Sequence, residues 1–166
     1  MVYQDPIDQQ KDVSIYQRSF FLWKEQWDTY TAPRIALDWQ CVKFERNNAN
    51  KIPTEKGIYA FFIEPRIGNF PAHGYLVYLG QTGHESERDL QKRFRDYLYY
   101  KQHPKRRRIH LMLNTWENYL YFYYVEVDPT EMDLKQLERM LLDTFTPPFV
   151  ERGYSAEVRD IIKGLK

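Results

Sequence analysis

The stretch from Gly57 to Gly80, GIYAFFIEPRIGNFPAHGYLVYLG, decides how the chain is read. Ile58 to Ile63 and Leu76 to Leu79 are short runs of β-branched and aromatic residues bounded by turn formers, which predicts two strands. Between them, Glu64 to Tyr75 holds Pro65, Gly68, Asn69, Pro71 and Gly74, so an elongated hairpin loop is expected there rather than a helix. Antiparallel pairing brings Tyr59 and Tyr78 close together. In a chain with 14 tyrosines, ordinary core packing with hydroxyls satisfied at the core's edge also produces such a pair. Its meaning therefore rests on what else converges on it.

Downstream, the polar turn Gln81 to Ser86 predicts a helix cap at Ser86, with Asp89 at the third helical position. The helix expected from Glu87 to about Tyr100 places Leu90, Phe94, Tyr97 and Leu98 on one face. Arg93 falls at the margin of that stripe, about 60° from Leu90, whereas Lys92 and Arg95 point away. Such an arginine either snorkels to water or projects into a cleft beside the strands. Ile109 to Leu113 reads as a short strand or the end of a helical connection. Tyr119 to Val127 is apolar on both faces, the pattern of a central strand covered on each side. Pro129-Thr130-Glu131 then opens a last helix, with Thr130 as N-cap and Asp133 as its capping-box carboxylate. Leu134, Leu137, Leu141, Leu142 and Phe145 form its apolar face, and Glu138 projects into that stripe, about 40° from Leu134. An unpaired carboxylate there costs several kcal/mol, on the order of the burial penalty of a charge, so a cation, an arginine or a proton must compensate it.

Upstream, Met1 to about Gln10 is polar and expected to fray. Val13 to Trp27 carries Ile15, Tyr16, Phe20, Phe21 and Trp23 at loosely helical spacing, which predicts one helix ending at Asp28 to Pro33. Ile35 to Phe44 fits a strand or a short helix equally. Asn47 to Asn50 is a turn. The organisation expected is one compact domain: residues 1–50 an N-terminal helical and aromatic extension packed on the core, 51–150 the core, and 151–166 a C-terminal helical tail.

A length of 166 residues allows one sizeable core, and aromatics at 17% make burial ample. No run approaches membrane-spanning length and no basic-then-apolar leader is present, so a soluble, non-exported chain with no membrane partner is expected. The lone Cys41 excludes an internal disulfide and a cysteine-based zinc site, which fits a reducing compartment such as the cytoplasm. His73, His84, His103 and His110 are too scattered for zinc and read as surface residues. A net charge of +1 means any nucleic-acid binding is local. The candidate is Lys101, Lys105, Arg106, Arg107 and Arg108, in a stretch without acids from Tyr97 to Trp116. Runs of this length are commonly solvated loops, and beside a phosphodiester site one would seat a backbone.

Gly57-Ile58-Tyr59, Tyr78-Leu79-Gly80, Leu90-Gln91-Lys92-Arg93-Phe94 and Leu137-Glu138-Arg139-Met140-Leu141-Leu142, with Pro147 after them, occur in that order. Together they resemble the GIY-YIG nuclease family over roughly residues 55 to 150. The resemblance implies a small α/β (α+β) fold with a central, mainly antiparallel three-stranded sheet flanked by helices. It also implies DNA phosphodiester cleavage with one divalent cation, Mg²⁺ or Mn²⁺. By position, Tyr59 matches the tyrosine that positions or deprotonates the attacking water, and Tyr78 the one lining the scissile phosphate. Arg93 matches the arginine on the phosphoryl oxygens, and Glu138 the sole protein ligand of the metal. Tyr97 stands where relatives have histidine or tyrosine and shares the base role.

The chemistry is self-consistent. Charge develops on equatorial and leaving oxygens, where a guanidinium and a cation lower the barrier. Mg²⁺ keeps most of its waters, so one carboxylate is enough. A phenol with a pKa of about 10 needs help from nearby positive charge to act as a base. The chain departs from the family in its long hairpin loop, its extended turn before Leu90, and Phe149, Val150 and Glu151 where an asparagine often follows the proline. Two other functions compete: a nucleic-acid-binding module that kept the fold and lost turnover, and an interaction protein whose aromatic first third docks on a partner.

Overall fold

Alternation along the strands sorts side chains onto two faces, and helices cover each. The computed structural model describes residues 13–165. The chain is a mixed α/β protein built on a four-stranded antiparallel sheet: β1 (Gln40–Lys43), β2 (Gly57–Ile63), β3 (Tyr75–Gln81) and β4 (Leu120–Glu126), in the order β1-β4-β2-β3. Among the described residues the α-helices are α1 (Lys24–Thr29), α2 (Leu90–Gln102), α3 (Arg107–Thr115), α4 (Leu134–Phe145) and α5 (Ala156–Gly164).

One face carries Tyr59, Phe61, Phe122 and Tyr124 against Leu90, Phe94 and Tyr97 of α2 and Ile109, Met112 and Leu113 of α3. The other carries Ile58, Ala60, Leu79 and Val125 against Leu134, Leu137, Leu141 and Leu142 of α4. The register explains the split, because Tyr59 lies opposite Tyr124 and Gly80, while Ile58 lies opposite Val125 and Gln81.

Two glycines are required by close approach. A Cβ on Gly57 would sit 2.0 Å from the Val125 carbonyl oxygen. One on Gly80 would sit 2.7 Å from the Tyr59 hydroxyl and 2.8 Å from Cζ, so the Tyr59 ring lies across the Gly80 backbone. A bulge in β3 sets Val77 and Tyr78 together against Phe61, before Leu76 resumes pairing with Phe62.

Several expectations are corrected. The sheet has four strands rather than three, because Gln40–Lys43, within the segment left open, pairs with β4; the sheet therefore reaches into residues 1–50. Val13 to Trp27 is not one helix but a 3₁₀ turn at Ser14–Tyr16, an extended path, and α1. Its side chains have separate anchors. Arg18 lies over the Trp116 and Phe149 rings, at 5.0 and 4.8 Å from their centroids, and Phe20 packs on Tyr75. Trp27 donates its indole N–H to the Thr144 carbonyl at 3.0 Å, which satisfies an orphan acceptor in the last turn of α4. One helical stripe does not reach all of these.

Ile109 to Leu113 belongs to α3, since its apolar positions meet the α2 face of the sheet. Asp89, not Ser86, caps α2 by accepting from Lys92 N at 2.7 Å, and Asp133, not Thr130, caps α4 by accepting from Gln136 N at 2.9 Å. Ser86 and Thr130 instead close local turns with Arg88 and Asp128. His110 is half-buried, with Nδ1 3.0 Å from the Tyr100 carbonyl. The reading of Met1 to Gln10 lies outside the described residues.

Candidate active site

Tyr59 is carried by β2, Tyr78 by the edge strand β3, Arg93 and Tyr97 by α2, and Glu138 by α4. The three tyrosines pack together, and Arg93 and Glu138 lie close enough to act electrostatically on Tyr59; of the five, Tyr78 and Glu138 line the neighbouring cleft, and Tyr59, Arg93 and Tyr97 do not. The Tyr59 and Tyr97 hydroxyls are 3.1 Å apart, and the Tyr97 ring meets those of Tyr59 and Tyr78 edge-on at centroid distances of 5.6 and 5.8 Å.

Tyr59 and Tyr97 are 3% and 1% exposed. Burial holds both above the usual phenol range, reinforced at Tyr59 by Tyr78 and at Tyr97 by Tyr59 and Tyr78, while Arg93 and the hydrogen bond with Tyr97 oppose the shift at Tyr59. Neither is a phenolate at neutral pH.

Arg93 is half-buried on α2. Its Nη1 is 3.7 Å from Asp96 Oδ2, and its charge is felt at both Tyr59 and Glu138. Its Nε is buried and has no hydrogen-bond partner among the described residues. Lys92 and Arg95 face outward, as their helical positions predict.

Glu138 is half-buried beside Leu137 and Leu141. Burial pushes its carboxyl up to about 7, against the opposing pull of Gln81 and of Arg93. The Gln81 side chain explains itself: its Oε1 accepts from Gly83 N, leaving the amide nitrogen within hydrogen-bonding reach of the carboxylate.

Glu138, Tyr78 and Leu79 line a cleft of about 420 Å³ with Arg106, Arg107 and Arg108, and with Phe149 to Arg152 along the far wall. The five predicted backbone-binding cations therefore divide. Lys101 is engaged with Glu117 at 2.8 Å, and Lys105 lies over the Tyr99 ring; neither lines the cleft. Arg106 to Arg108 do, with Arg108 paired to Glu151.

Sequence reasoning missed the individual parts played by Gln81 and Arg106. Gln81 was within reach, because strand alternation from Leu79 points it at α4. Arg106 was one of five equivalent charges until α3 gave it a direction.

No protein-family model, curated protein or solved structure matches this chain. What the site can do is therefore argued from its own residues.

As a metal site, the donor set is sparse. Among the described residues no group of three or more histidine, cysteine or acidic side chains could hold an ion. A single desolvated carboxylate facing an open cleft still suits a hydrated Mg²⁺ or Mn²⁺, which takes its remaining ligands from water and substrate oxygens. Among the described residues no helix is long and apolar enough to cross a membrane.

Proposed function

We propose that the chain is a metal-dependent endonuclease of the GIY-YIG type, hydrolysing DNA phosphodiester bonds. The observation that carries the reading is Glu138, a carboxyl group with its acidity shifted to about 7 by burial, opening on a cleft walled by guanidiniums and the Tyr78 phenol. Perturbed acidity together with convergent polar groups in a cleft is the signature of a working site. A carboxylate pointed into an apolar stripe serves no purpose in a simple phosphate binder.

In this reading Glu138 would hold Mg²⁺ or Mn²⁺, which when bound supplies positive charge against the developing anion. Arg93 binds the non-bridging oxygens, and its unpartnered Nε gains an acceptor there. Tyr59, fixed by the Tyr97 hydroxyl and by the Gly80 backbone beneath its ring, orients the attacking water. Tyr78 lines the phosphate from the edge strand. The usual asparagine after the proline is missing, but Phe149 N donates to the Val77 carbonyl at 3.0 Å and ties the loop after α4 to β3.

The test is supercoiled plasmid nicking with Mg²⁺, with and without chelator, beside Glu138→Ala. The expected outcome is chelator-sensitive nicking that falls by at least about 10³-fold in the variant. A second reading, a fold-sharing module that binds nucleic acid without cutting it, draws on the near-complete burial of Tyr59. Salt-sensitive gel retardation without nicking, unchanged by Glu138→Ala, would establish it instead.

A further inference from the structure

We propose that Arg106, from the cleft wall it shares with Tyr78 and Glu138, touches the phosphate being cut as a second catalytic guanidinium in addition to Arg93, and is not one more backbone-seating charge. The inference deepens the nuclease reading and rests on it. Arg106 precedes the first turn of α3 and lines the same cleft as Glu138.

Its surroundings separate it from its neighbours in the run. Lys101 and Arg108 are engaged with Glu117 and Glu151, whereas no carboxylate pairs with Arg106 among the described residues. Its guanidinium lies over the Tyr100 ring, 5.6 Å from the centroid, and within hydrogen-bonding reach of the Tyr78 hydroxyl. As a guanidinium it stays protonated at any working pH. A neutral acceptor and an aromatic face orient a guanidinium without neutralising it. Its full charge is left for an anion, and a planar fork matches phosphate oxygens.

Arg93 is presented by α2 and Arg106 by the start of α3; the first acts on Tyr59 and Glu138, and the second lines the cleft with Tyr78 and Glu138. Phosphoryl transfer spreads charge over several oxygens, so two fixed donors stabilise the transition state more than the ground state. Tyr78 thereby acquires a second part as the positioning residue for Arg106.

The experiment uses the full chain with Arg106→Ala, Arg106→Gln, Arg106→Lys and, as control, Arg107→Ala. Two quantities are measured: the single-turnover nicking rate on supercoiled plasmid with Mg²⁺, and affinity for a 30-base-pair DNA duplex (about three helical turns) in EDTA. Removing the Arg106 charge is expected to slow cutting about 100-fold while duplex affinity changes by less than about threefold. Arg106→Lys should recover at least about tenfold of the lost rate by restoring charge without the planar fork. Arg107→Ala should instead weaken binding and reduce the salt slope by about one. Arg106→Gln carries the same expectation if circular dichroism shows Arg106→Ala unfolded.

Wild-type rates in Arg106→Gln, or a rate loss matched by an equal loss of duplex affinity, overturn the inference and leave the nuclease reading standing. A wild-type chain that cuts nothing overturns both.

Discussion

The two faces of the sheet are packed by different chemistry. Beneath α2 and α3 the contacts are aromatic: Phe61 meets Phe44, Tyr97 and Phe122 edge-on at 4.9 to 5.3 Å, and Phe94 meets Phe44 and Phe122. Beneath α4 they are largely aliphatic. An aromatic layer can carry hydroxyls at its rim and satisfy them there, as the Tyr59 and Tyr97 pair does. An aliphatic layer offers fewer such partners, the Tyr123 hydroxyl on Glu64 being one. Glu138 is desolvated there, and its proton is held to about pH 7 against the pull of Gln81 and Arg93. The polar machinery is gathered where the two layers meet, at the open side of β3.

The comparison breaks most visibly if the aromatic layer is opened. Phe61→Ala should destabilise the chain by about 4 kcal/mol, and Leu137→Ala on the other face by about 3 kcal/mol, read from denaturant midpoints. Equal losses of only about 1 kcal/mol would show both layers to be loosely packed.

Glu138→Gln probes the aliphatic side. The folded-state carboxyl titrates near 7 and the unfolded one near its ordinary value of 4.5. Between those values the folded state holds the extra proton, so stability falls as pH rises through that window and stays low above it. At pH 8 and without metal, the glutamine variant should therefore be more stable than wild type, by on the order of 2 kcal/mol, and indistinguishable from it near pH 4. A wild-type chain whose melting temperature rises across pH 5 to 7 relative to the variant would reverse the assignment. The smallest effect is expected at the aromatic rim. Tyr97→Phe leaves the buried Tyr59 hydroxyl without its partner and should cost about 1 kcal/mol by denaturation.

How much of this was legible follows the same division. Short β-branched and aromatic runs between turn formers located β2 and β3, and the 3.6-residue period located Arg93 at a stripe margin and Glu138 inside one, because those positions are set by local geometry. Helix caps were misassigned at both α2 and α4, where serine or threonine stands three residues before an aspartate. Either residue can accept from a first-turn amide, and the surrounding chain decided which one does. The path of residues 13–27 was unreadable for a different reason. Its side chains, Arg18, Phe20 and Trp27, answer to Trp116 and Phe149, Tyr75, and Thr144, all more than 50 positions away, and no local period encodes such distant anchors. Strand β1 was ambiguous because a four-residue edge strand is too short to show a period.

The irregularity at Val77 has a consequence for how this architecture tolerates change. It takes up one residue between the tip of the β2–β3 arm and the portion bearing Tyr78 and Gly80, so the two portions are geometrically decoupled. Insertions or deletions in the 64–74 connection can be accommodated outboard of that point, and the phenol keeps its aim. The arm is free to be remodelled for a new partner while the inner end of the strand stays in step.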